Sequence, residues 1–314
     1  MKFTQIPLSK IFPYDTHVHS VAHGATDMQN FSMKNVKQCI DRMKNANVKK
    51  FVITEHAPFP EKNFDPTPDK DCGIDRENFF EVLKKNRGFL KNYAKEQGLK
   101  ILIGGEFDFF SGCEKFYQDL DKEFEPELKI LGQHFIGEIE VSPNEKGEDV
   151  FGEKINKKMT KKFCFDFSYE AFAEAIDQHG AEILVKSYFT EISQGLQKFN
   201  FDILAHLQLI TKFNDEGKFF DENSKFYKTL IFQILEILKE KNVALELNIN
   251  GTKFCKKLVL ESWILEKTKN WNIPIILGSD IHGEQKWPKE TFDFILKELA
   301  KNGIKTLAVP KKFA

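Results

Sequence analysis

The sequence has no cysteine pair in CxxC spacing, and no apolar run approaches the roughly 18 to 20 residues needed to span a bilayer. Its five cysteines, Cys39, Cys72, Cys113, Cys164 and Cys255, are odd in number and far apart. That excludes a disulfide framework and a thiolate zinc site, and it suits a reducing compartment. The opening stretch MKFTQIPLSKIFPYD holds no apolar block of signal-peptide length, so a cytoplasmic location with no membrane partner is expected. Neither sign of charge is in excess: 46 Lys+Arg stand against 47 Asp+Glu, which gives no global footprint for nucleic acid. No Pro/Ser-rich linker divides the 314 residues and no internal repeat is visible, so 1–314 reads as one domain. Histidine is scarce, eight in all.

What is present is enough apolar content (41%) to bury a sizeable core, with 32 phenylalanines read as core filling. Short β-branched runs alternate with longer amphipathic ones. Phe12 to His19, KKFVIT (49–54), KILIGGEF (100–107), LKILGQHF (128–135), FDILAH (201–206), VALELNI (243–249) and IPIILGSD (273–280) read as buried parallel strands. Helical spacing marks 33–46, 76–97, 168–179, 224–241, 255–270 and 288–301. Such βα alternation implies an α/β fold with helices outside a parallel sheet, open or closed into a barrel. One stretch, 137–165, is polar, acidic then basic, and reads as a surface insertion or as a lid whose lysines attract an anion.

The few histidines are placed unevenly. His17, His19, His23, His56, His134, His206 and His282 fall at the C-terminal ends of these strands or just beyond them, and only His179 lies in a helical stretch. In parallel α/β folds the active site is built on that face. His17-Val18-His19 and Asp280-Ile281-His282 are i, i+2 pairs, so each pair points to one side of an extended strand. Imidazole with carboxylate suits Zn²⁺, Fe or Mn²⁺. Glu106 ends an apolar strand after two glycines, where an unpaired carboxylate is costly and wants a cation.

In order along the chain stand YDTHVHS (14–20), VITEHAPFP (52–60), GGEFDFF (104–110), ILGQHF (130–135), FDILAHLQLITKF (201–213), LELNINGTK (245–253) and ILGSDIH (276–282). This series resembles the PHP (polymerase and histidinol phosphatase) family, and within it the monofunctional histidinol-phosphatase branch. The resemblance implies a distorted TIM-like (β/α)7 barrel and two or three divalent metal ions. One metal would be held by His17, His19, Glu106 and Asp280. A second would take His134 and His206, with Glu106 bridging. A third would take His56, His282 and either His23 or Asp27 from a loop about two residues short of the family's. Water bridging two cations would be acidified toward neutrality, making hydroxide available to attack a phosphate monoester. Asp280 is the candidate proton acceptor, and Lys253, with Lys212 as second choice, the candidate phosphate clamp.

Two positions depart from the branch's pattern: Gln208 stands where Asp is expected, and Gly283 where a basic residue is expected. Neither bears on holding metals; both bear on the substrate, a small phosphorylated molecule. The expected activity is hydrolysis of L-histidinol phosphate in histidine biosynthesis. The alternatives are another small phosphate ester or nucleotide, and a non-catalytic interaction module.

Overall fold

The computed structural model describes residues 2–22, 30–61, 64–67, 73–255 and 260–314, the side chains of 253–255 excepted. Its centre is two parallel sheets. One has the order β2 (Tyr14–Val18), β3 (Lys50–Ile53), β4 (Lys100–Ile103). The other runs β5 (Gly105–Phe107), β6 (Lys129–Leu131), β9 (Ile203–Leu204), β10 (Ala244–Asn248), β11 (Ile275–Gly278). The chain passes from one sheet to the other at Gly104, between β4 and β5. Hydrogen bonds also cross between the sheets: Asp280 N–H to the His17 carbonyl (2.8 Å) and His19 N–H to Ile281 (2.9 Å) on one side, Glu106 N–H to Glu55 (3.1 Å) and Ala57 N–H to Glu106 (2.7 Å) on the other.

These strands form where the sequence supplies unbroken apolar runs, as burial on both faces requires. β10 and β11 are buried at every residue. The outer helices show the complementary pattern: Met33–Asn45 buries Val36, Cys39, Ile40 and Met43, one helical stripe. Serines cap two helix starts, Ser168 accepting from Ala171 N–H and Ser224 from Tyr227 N–H. The phenylalanines do fill the interior, as in the contact of Phe79 with Phe124 at 4.6 Å between ring centres.

Four features depart from expectation. An antiparallel pair, β1 (Phe3–Pro7) with β12 (Thr306–Pro310), was not legible as strands. It packs beneath β2, where the Tyr14 hydroxyl donates to Ala308 O (2.9 Å) and accepts from Leu277 N–H (3.2 Å). The 137–165 stretch is largely an antiparallel hairpin of β7 (Phe135–Val141) and β8 (Met159–Cys164), its charges carried on the open face while alternate residues pack inward. In place of a helix over 255–270 there are two described ones, Ile249–Cys255 and Ser262–Trp271. Helices Glu114–Phe124 and Ala181–Lys198 were not anticipated. Among the described residues no helix is long and apolar enough to cross a membrane.

Candidate metal centre

The C-terminal ends of the parallel strands converge on one cluster. β2 delivers His17, with His19 immediately beyond; His56 follows β3, Glu106 lies in β5, His206 follows β9, and Asp280 and His282 follow β11. His134 was expected within a strand but sits in the link between β6 and β7, since β6 stops at Leu131 before Gly132. Two of these residues adopt left-handed backbone, His206 (φ 27°) and Asp280 (φ 55°). Such conformations cost energy outside glycine and persist where the surroundings enforce them, often at functional sites.

Glu106 is the centre of the geometry. Its Oε2 lies 3.3 Å from Nε2 of both His17 and His19 and 3.2 Å from His56 Nδ1. Its Oε1 faces the other way, 2.9 Å from His206 Nε2 and 3.8 Å from His134 Nε2. Asp280 Oδ1 closes the first set, 3.5 Å from His17 Nε2 and 3.3 Å from His19 Nε2. Three groups offer ligand atoms mutually within 4.8 Å that could hold a metal ion: His17, His19, Glu106, Asp280; Glu106, His134, His206; and His19, His56, His282. His56, Asp108 and His134 make a fourth such combination.

The cluster is chemically incomplete without cations. His17 Nε2, both nitrogens of His19 and Glu106 Oε2 are buried and have no hydrogen-bond partner, although they crowd together. Buried polar atoms are nearly always satisfied. Burial would depress the His17 pKa, but Glu106, Glu246 and Asp280 around it raise it well above the usual histidine range. Burial likewise opposes ionisation of Glu106, yet the ring of His17, His56 and His134 holds its carboxyl far below normal. His134, despite its burial, is pushed up to about 10 by Asp108 and Glu106. Both trends say the same thing: the site demands positive charge, which metal ions in place of protons would supply.

Behind the cluster stand carboxylates that the sequence did not single out. Glu246 Oε1 lies 2.8 Å from His17 Nδ1. Asp108 accepts from the His134 N–H (2.6 Å) and lies 3.2 Å from His134 Nδ1. Asp15 accepts from His17 N–H (3.0 Å), Ser279 N–H (2.9 Å) and Trp287 Nε1–H (2.9 Å). Acidic residues inside apolar strand ends, as in VALELN and GEFDFF, were the available signal.

Of the remaining sequence candidates, His23 and Asp27 lie outside the described residues, as does the side chain of Lys253. Lys212 is exposed and donates to the Asp166 carbonyl (2.8 Å). Its Nζ also lies 3.5 Å from Asp166 Oδ2. His179 ends its helix away from the cluster, with Nε2 3.0 Å from Glu140 O. Gln208 turns inward, its Nε2 donating to the Tyr227 hydroxyl (3.3 Å). Gly283 has φ 52°, and a Cβ there would stand 2.8 Å from Ala22 Cβ and 2.9 Å from Ala22 N, so the backbone at Ala22 leaves no room for the basic side chain expected at that position.

The family model of the PHP domain matches residues 15–250. The chain belongs to the PHP domain family. Among curated proteins it is similar to the histidinol-phosphatase of Bacillus subtilis (strain 168), 24% identical over 292 residues that cover 88% of this chain and 97% of that protein. Among solved structures, the HisK protein of Listeria monocytogenes matches with a TM-score of 0.68 at 20% identity, covering 90% of this chain and 99% of that one. Histidinol phosphate phosphatase from Lactococcus lactis subsp. lactis Il1403, solved with zinc, L-histidinol and phosphate, matches with a TM-score of 0.60 at 17% identity, covering 96% and 97%. These structural likenesses establish a shared α/β fold along nearly the whole chain.

Proposed function

We propose that this PHP protein is a metal-dependent phosphomonoesterase that hydrolyses L-histidinol phosphate to L-histidinol and phosphate. The observation that carries it is Glu106, whose two oxygens address separate histidine sets, the arrangement a bridging carboxylate between two cations needs. The match to a curated histidinol-phosphatase over 88% of this chain supplies the substrate.

His17, His19, Glu106 and Asp280 would hold one metal, Glu106, His134 and His206 a second, and His56 and His282 a third together with His19, His23 or Asp27. Zinc fits these nitrogen and oxygen donors, as do iron and manganese. Bound ions supply Lewis acidity toward phosphoryl oxygens and acidify water. The chain's own residues do the rest. Asp280, 24% exposed and the most open carboxylate of its group, is held ionised by its histidine neighbours once they override its burial. Its exposure beside the cluster would place it to accept a proton from attacking water and return it to the leaving alkoxide. Lys253 or Lys212 would hold the phosphate.

The same proposal takes 1–314 as one domain, in a cytoplasmic setting that the free thiols of Cys39, Cys113 and Cys164 suit. Its strands β2, β3, β4–β5, β6, β9, β10 and β11 would form the ring of a distorted (β/α)7 barrel, with the backbone hydrogen bonds between sheet edges as support. A second substrate, another small phosphate ester or a nucleotide, is favoured only by Gln208 and Gly283. An interaction module without catalysis is disfavoured by the nearly complete donor set among the described residues. Phosphate release from the purified, metal-analysed protein decides among them. Turnover of L-histidinol phosphate well above a panel of other monoesters is expected; preference for another ester would shift the substrate, and no turnover of any ester by metal-loaded protein would reject the enzyme.

A further inference from the structure

Glu246 lies in the middle of β10, flanked by Leu245 and Leu247, and is 1% exposed. A carboxylate so buried is costly unless its surroundings compensate. Among the described residues no lysine or arginine pairs with it; its ionic partner is His17, through Oε1 and Nδ1 at 2.8 Å. Its other oxygen, Oε2, accepts from the backbone N–H of His206 (3.1 Å) and from Asn248 Nδ2 (3.3 Å). That same Asn248 amide stands 3.3 Å from Asp280 Oδ2. One side chain thus touches a histidine of one ligand group and the main chain of a histidine of the other, and it reaches Asp280 through a single intermediary.

The packing leaves this carboxylate no freedom. A Cβ on Gly278 would fall 1.9 Å from Glu246 Oε1 and 2.6 Å from His17 Cβ, so the glycine is what admits the pair. Asp108 offers the contrast. It binds both the N–H and the ring of His134, and its hydrogen bonds reach no member of the His17–His19–Asp280 set.

We infer that Glu246 is a positioning residue shared by both metal-ligand groups, whereas Asp108 serves the His134 group alone. With Nδ1–H donated to Glu246, the His17 ring keeps its Nε2 lone pair toward Glu106 and Asp280. The bond to His206 N–H fixes the strained backbone that turns that side chain into the cluster. The inference rests on the proposal that these groups hold metals.

Stripped protein is reloaded with Zn²⁺ and each equivalent's affinity read by chelator competition in wild type, Glu246→Gln and Asp108→Asn. Glu246→Gln is expected to weaken two equivalents by about 10- to 100-fold, and Asp108→Asn one equivalent by a similar factor. Loss confined to one equivalent in Glu246→Gln, or no loss, overturns the shared role. A wild type that takes up no zinc instead overturns the metal-centre proposal and the inference with it. Should Glu246→Gln fail to fold, ¹⁵N NMR of zinc-loaded wild type decides: a proton on His17 Nδ1 is expected, and a proton on Nε2 overturns the role.

Discussion

A Cβ on Gly132 would stand 1.8 Å from Glu106 Oε1, so the space beside this glycine is the space the carboxylate occupies. The link from β6 to His134 can therefore pass the cluster at position 132 only without a side chain. Gly132→Ala should force Glu106 or the His134 link aside. We expect loss of bound metal and activity with the outer fold retained, read by metal analysis and far-UV circular dichroism. Full metal content in the alanine variant would show that Glu106 has room to spare.

Glu106 itself is the sharper test. Glu106→Gln keeps the shape but removes the charge facing five histidines, and turnover and metal content should both fall by orders of magnitude. The amide also lacks the second anionic oxygen that bridging needs. A variant with full metal occupancy and near wild-type turnover would sink the bridging role.

The histidine–carboxylate cluster was legible because its members are unusual residues in unusual places. Histidines and a lone glutamate at the ends of apolar strands stand out, and i, i+2 spacing on a strand has one geometric meaning. The strands themselves were legible from continuous apolar runs. Glu246 and Asp108 were not singled out: an acidic residue in an apolar strand end is a signal, but only the 2.8 Å contact with His17 or the 2.6 Å contact with His134 N–H says what it supports. The β1–β12 pair joins chain ends some three hundred residues apart, and local pattern carries no sign of such pairing. The stretch 137–165 read as a polar insertion because of its charges; in the structure they flank the β7–β8 pairing, where Lys161 of β8 binds Asp149 and Glu153 of the connection.

Away from the cluster, Glu127 ties three elements together. It accepts from Lys312 (2.6 Å), lies 2.6 Å from Lys91 Nζ, and accepts from Ile103 N–H at the end of β4 (3.1 Å). Burial would raise its pKa, but the two ammonium groups and the backbone N–H hold it below the usual range. A folded-state pKa below the unfolded one adds stability above the unfolded value, and that stability is lost as pH falls through the folded value. Glu127→Gln should therefore cost about 1–2 kcal/mol at neutral pH. The gap to wild type should narrow below about pH 4, where the unfolded carboxyl is already protonated. Urea unfolding at the two pH values measures both; an equal gap at each would mean that charge is not what Glu127 contributes.

The proposed phosphate clamp has two candidates, Lys212 and Lys253. Lys212 already donates to the Asp166 carbonyl at 2.8 Å, and the Asp166 carboxylate at 3.5 Å offsets part of its charge. Lys253 belongs to the helix Ile249–Cys255, which follows β10 directly at the face where the histidine cluster lies. The start of that helix is fixed against the cluster: Asn248 accepts from Gly251 N–H (2.8 Å), and Asn250 Nδ2 donates to the Asp280 carbonyl (3.1 Å). An ammonium meeting a phosphate dianion gains charge-assisted hydrogen bonds of about 1.5–3 kcal/mol. Lys253→Ala should accordingly lower kcat/KM by about 10- to 100-fold, the range that loss converts to. Metal content should not change, because lysine is no ligand here. Lys253→Arg should keep most of the activity, since a guanidinium offers the phosphate two parallel donors. Lys212→Ala should have the smaller effect, its amine being shared with Asp166. If the order is reversed, with Lys212→Ala costing the larger factor and Lys253→Ala unaltered, the phosphate is held on the Asp166 side of the cluster, beside His134.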